Sequence, residues 1–86
     1  SALDQYLIFP NPTRGSLQIK SPRAHLIVAP VIFRLYNSAG KQQYSSTLDS
    51  RQSVIDISSF PPGFYFYSIH HQGVLLKHGK LIKLNE

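Results

Sequence analysis

The chain has 86 residues and a formal net charge of +5, from nine Lys or Arg against four Asp or Glu. Its 42% apolar content supports one small domain with a thin core, since a domain of this size buries only roughly 60% of its unfolded surface. The absence of cysteine excludes a disulfide framework and thiolate metal sites, and no apolar run approaches the ~20 residues of a membrane span.

Charged residues are 15%, well below the roughly 25% of typical soluble domains, while Ser, Gln, Pro and Tyr are plentiful. This profile suggests a β-rich extracytoplasmic module, and the basic balance favours anionic partners such as nucleic acid, lipid headgroups or acidic polysaccharide. Ser1 to Gln5 has neither the charged start nor the apolar stretch of a signal peptide. If the domain is exported, the export signal is therefore expected elsewhere, or the chain is a piece of something longer.

In chain order, Leu7-Ile8-Phe9 is a short apolar run that ends in Pro10-Asn11-Pro12. The prolines fix φ and remove two backbone donors, so this is a rigid corner, and Gly15 is expected to supply a left-handed residue before the next strand. Ser16 to Lys20 alternates, with Leu17 and Ile19 on one face. Ser21 to Pro30 reads as a long, mobile connection. Val31 to Tyr36 places Val31, Phe33 and Leu35 on one face, and Asn37-Ser38-Ala39-Gly40 turns it, with Gly40 suited to positive φ. Lys41 to Leu48 is the polar hairpin partner near an edge, and Gln52 to Ile57 is another short strand. After the corner Ser58 to Gly63, the run Phe64 to His71 buries Tyr65, Tyr67 and Ile69 and turns Phe64 and Phe66 to the other side. Gln72-Gly73 leads into a final run, Val74 to Leu84. Lys77, Lys80 and Lys83 would gather on one side of a helix, but Gly73 and Gly79 make a hairpin strand the simpler reading. About seven short strands at this spacing predict an all-β, immunoglobulin-like antiparallel sandwich.

Catalytic and metal chemistry find little support. His70 and His71 point to opposite faces of a strand, His25 and His78 are isolated, and no metal-ligand spacing occurs. There is no nucleophile elbow, and Asp49 and Asp56 have no histidine at a suggestive spacing. No enzyme and no cofactor are expected. Gly63 to Ile69 looks superficially like the aromatic strand of an RNA-recognition motif. However, Pro62 stands where the basic residue belongs, Tyr65 where a small one belongs, and nothing supplies the two helices. Asn11-Pro12-Thr13 fails as a glycosylation acceptor because of its proline.

Three segments read together carry a resemblance. They are "FPNPTRG" at Phe9–Gly15, "FRLYNSAGK" at Phe33–Lys41, and "DISSFPPGFYFYSI" at Asp56–Ile69 followed by "GKLIKL" at Gly79–Leu84. In this order they resemble the C-terminal sorting domains of proteins exported by the type IX secretion system of Bacteroidota. The match runs from about Tyr6 to Leu84, with Phe60 in place of the usual leucine. By resemblance, Pro10, Asn11, Pro12 and Gly15 occupy the first motif, Tyr36 and Gly40 the hairpin turn, Gly63 and Tyr65 the corner, and Lys80 and Lys83 the terminal strand.

The resemblance implies one domain over residues 1–86, with a core of about 6–84 and residues 1–5 as linker or remnant. It also implies a folded secretion signal rather than a catalyst. Its expected partners are the outer-membrane translocon, its shuttle protein and a surface sortase that cuts before the domain and joins the cargo to anionic lipopolysaccharide. Localisation would be periplasmic in transit, then the outer-membrane surface or the exterior. Nucleic acid and a transmembrane span are not expected.

A compact signal with rigid proline corners and an exposed terminal β-edge could be captured by strand addition, and a strand-paired dimer of the isolated domain is conceivable. Lys80 and Lys83 fall on opposite faces, so both cannot be buried. The segment Lys83 to Glu86 is expected to be a frayed end whose loss leaves the domain folded. The rival reading is a carbohydrate- or single-stranded nucleic-acid-binding β-module using Phe64, Phe66 and the basic residues.

Overall fold

The computed structural model describes residues 6–20, 31–48 and 52–85. The expectations for residues 1–5, for Ser21 to Pro30, for Asp49 and for Glu86 lie outside these. The strands are β1 (Leu7–Phe9), β2 (Ser16–Lys20), β3 (Val31–Asn37), β4 (Gln42–Leu48), β5 (Gln52–Asp56), β6 (Gly63–His71) and β7 (Val74–Lys83). They form two antiparallel sheets of order β1-β2-β5 and β4-β3-β6-β7. This is an immunoglobulin-like order in which the fourth strand pairs with the third rather than with the fifth.

The period-two patterning explains why the sheets stack. Leu17, Ile19 and Ile55 of the smaller sheet are buried with Val31, Phe33, Leu35, Tyr65, Tyr67, Ile69 and Leu81 of the larger. Alternate residues of each strand thus close one apolar layer between the sheets. Phe33 and Tyr67 stack within it at a centroid separation of 6.2 Å. Gly79 faces Tyr67 across the ladder, and a Cβ at Gly79 would lie 2.6 Å from the tyrosine oxygen. The glycine therefore makes room for the ring.

The turns form as their residues dictate. Gly40 has φ of 84°, and the Asn37 carboxamide oxygen accepts from the amides of Ala39 (3.0 Å) and Lys41 (2.9 Å). That side-chain acceptor is the reason asparagine favours the first turn position. Gln72 and Gly73, with φ of 51° and 79°, make the tight hairpin between β6 and β7. Gly15 takes the positive φ expected of it, at 157°, toward the extended edge of that region rather than in the left-handed helical well.

Candidate functional site

The strand registers bring all the motif residues to one end of the sandwich. There β2 begins and β5 ends (Ser16 opposite Asp56), β6 begins and β7 ends (Gly63 opposite Lys83), and β3 turns into β4. Asn37 lies opposite Tyr65, which ties the hairpin turn to the same end. Pro10, Asn11, Pro12 and Gly15 fill the link between β1 and β2 there, and the Gly15 carbonyl accepts from the Ile57 amide at 2.8 Å.

The first motif does more than turn the chain. After β1 leaves the smaller sheet, residues 11–14 cross to the free edge of β7 in the larger sheet. Thr13 bridges Lys83 in parallel, its amide donating to the Ile82 carbonyl (2.9 Å) and its carbonyl accepting from the Leu84 amide (2.7 Å). The Asn11 carboxamide donates to the Lys80 carbonyl (2.9 Å) and accepts from the Ile82 amide (3.1 Å). A side-chain amide has the donor and acceptor of a peptide group, so Asn11 supplies both where flanking prolines cannot donate. Arg14 donates to the Asn85 carbonyl at 2.7 Å.

Two expectations are corrected here. The terminus is not a frayed end, because Lys83 is only 4% exposed and Leu84 and Asn85 are held by Thr13 and Arg14. The terminal β-edge is not free along its length either. Its last part, from Lys80 onward, is covered by the first motif, which leaves Val74 to Gly79 as the uncovered part among the described residues. Sequence reasoning missed the covering because partners 69 to 71 residues apart leave no local signal. It also missed Thr13, which is 1% exposed and whose hydroxyl donates to the Ser16 carbonyl (2.6 Å) and accepts from the Gly15 amide (3.2 Å). A threonine two residues before glycine is a known turn signal that would have found it.

The corner forms around Tyr65. Its hydroxyl donates to the Pro61 carbonyl at 2.6 Å, and burial pushes its pKa above the ordinary 10.0. Phe60 packs edge-on to Tyr44 and beside Tyr65, at 6.4 and 6.1 Å, so the replacement of leucine keeps the corner filled. Gly63 has φ of 144°, a conformation L residues rarely adopt. Hydrogen bonds from Ser58, hydroxyl and amide, hold the Asp56 carboxyl below its ordinary 3.8. Asp56 thus starts the corner.

Lys80 and Lys83 do lie on opposite faces. Lys83 sits on the buried side of β7, whereas Lys80 is exposed with its Nζ 4.2 Å from the centroid of the Phe64 ring. Tyr36 also faces outward, accepting from the Ser68 hydroxyl at 3.5 Å. A shallow groove of about 470 Å³ lies between Pro10, Pro12, Arg14, Gln18 and Leu84. His70 and His71 point to opposite faces, beside Ile32 and Val31, and among the described residues no three His, Cys, Asp or Glu come together as a metal site. No helix among the described residues is long and apolar enough to cross a membrane.

Comparison with known proteins agrees with this architecture. No curated protein matches the chain. Residues 7–83 match the family described as Secretion system C-terminal sorting domain, from the first residue of β1 to the last of β7. The matched span contains every motif gathered at the end of the sandwich, and the chain belongs to the family of type IX secretion C-terminal sorting domains.

Proposed function

We propose that the domain is a folded export signal read at the end of the sandwich where its motifs meet. Membership of the family carries export by the type IX system toward the cell surface or the exterior, and the family is not one of enzymes. The finer reading is that the outer-membrane translocon and its shuttle protein bind this end. A surface sortase then cuts before the domain and joins the cargo to anionic lipopolysaccharide or releases it. The observation that supports the reading is the clasp of Asn11 and Thr13 on β7, because it makes one surface of the first and last family motifs.

In this reading Pro10, Asn11, Pro12 and Lys80 belong to the surface itself, and the buried Lys83 anchors the strand beneath it. Gly15, Tyr36, Gly40, Gly63 and Tyr65 hold the turns around it. Covered over its last part, β7 offers the partner shape and side chains there rather than free backbone groups for strand addition.

The test is a reporter carrying an inner-membrane signal peptide and this domain at its C-terminus, expressed in a type IX-competent host and in the same host without the translocon. Exposure of the reporter to external protease only in the competent host is the expected result. Periplasmic retention in both hosts contradicts the reading.

A further inference from the structure

The outer face of β6 and β7 is a feature the clasp does not use. Phe64 and Phe66 are 51% and 44% exposed, although they belong to the strand whose alternate residues are the centre of the core. Phe66 lies in register with Tyr36 on one side and Lys80 on the other, and Ile82 is opposite Phe64. Beyond them a shallow concavity of about 500 Å³ extends to Leu75 and His78. Single exposed apolar residues are ordinary, but aromatics at alternate positions with a third in register make a contiguous patch, which marks interaction surfaces.

Charge narrows the occupant. Arg34 and Lys80 both turn outward on this sheet, whereas Asp56, the sole acidic residue among the described residues, belongs to the other sheet. Among the described residues, no carboxylate on the face balances its cations. An aromatic centre with cations beside it is the composition of a protein-binding hot spot.

We propose that Phe64, Phe66 and Lys80, flanked by Tyr36, Arg34 and His78, dock a protein of the secretion machinery whose surface presents carboxylates around an apolar centre. This proposal rests on the export-signal reading. Stacked nucleic-acid bases fit less well, because Lys80 already stands over the ring of Phe64. A second copy of the chain fits less well too, since it would set Arg34 and Lys80 against like charges.

The test uses the reporter fusion with Phe66→Thr and Lys80→Glu combined. Threonine keeps strand preference, and both side chains are exposed, so the fold is retained. The control is Val54→Thr with Lys20→Glu, exposed positions on the other sheet. We expect surface delivery of the first variant to fall by about tenfold or more, as for loss of a hot spot, with the control equal to wild type. Delivery of the first variant at the wild-type level overturns the proposal.

If the combined variant melts, Lys80→Glu alone decides, since it leaves the aromatic packing in place. Reduced delivery supports the proposal and normal delivery overturns it. Failure of the wild-type fusion to reach the surface removes the export reading itself and the proposal with it. Purified domain is also titrated with labelled oligodeoxythymidine and analysed for dimerisation. Binding or dimerisation that Phe66→Thr abolishes, with export unchanged, assigns the face to nucleic acid or to a second copy and overturns the proposal.

Discussion

Asn11 clasps β7 on both sides of Leu81, donating to the Lys80 carbonyl and accepting from the Ile82 amide, although these residues are 69 and 71 positions away. The two ends of the described chain are thereby fastened to each other at one end of the sandwich. Leu81 between them is fully buried, so the clasp is anchored to the core rather than to a loose tail.

Replacing Asn11 by alanine removes both bonds, and we expect a loss of about 1–2 kcal/mol, given the modest net value of exposed hydrogen bonds. Asn11→Asp keeps the acceptor for Ile82 but sets an oxygen against the Lys80 carbonyl, so it should restore little of that loss. Chemical denaturation of the three proteins checks this. Equal midpoints would show that the clasp contributes nothing to stability.

Gly79→Ala should destabilise by about 1–3 kcal/mol, the usual cost of overpacking, because the added methyl meets the Tyr67 ring. In a Tyr67→Leu background the ring is gone, and the same substitution should cost far less. A double-mutant cycle with no coupling would contradict the close approach.

Tyr65→Phe leaves the Pro61 carbonyl without its partner and should cost about 1–3 kcal/mol. Burial raises the pKa of both Tyr65 and Tyr67 above the ordinary 10.0, so the folded state holds their protons longer than the unfolded chain. Stability from this source is complete below pH 10.0 and falls as pH rises through the folded-state values. Tyr65→Phe should therefore flatten the alkaline decline, which denaturation midpoints followed upward from neutral pH will show.

Much of this was legible from alternation alone. Leu17 with Ile19, Val31 with Phe33 and Leu35, and Tyr65 with Tyr67 and Ile69 are buried as a period of two requires. The turns at Asn37 to Gly40 and at Gln72-Gly73 follow from local chemistry. The clasp was not legible, because nothing near Asn11 reveals that β7 lies beside it. For the same reason nothing local marks Lys83 as a buried strand residue rather than part of a tail.

Removal of Lys83 to Glu86 should consequently destabilise by about 2 kcal/mol or more, since it takes away a buried residue and the partners of Thr13 and Arg14. Lys83→Met keeps the apolar stem and should stay within about 1 kcal/mol of wild type. Thermal unfolding of the two variants separates packing from charge. A truncated domain as stable as the intact one would restore the picture of a frayed end.

The joining of the first and last motifs is tested most directly by amide hydrogen exchange at Ile82 and Leu84, whose N–H groups donate to Asn11 and Thr13. Both amides should be protected by about a hundredfold or more over unstructured peptide, as in cooperative elements of a folded domain. Exchange of Leu84 and Ile82 at the rate of a free chain, with Leu81 still protected, would show that the motifs do not meet.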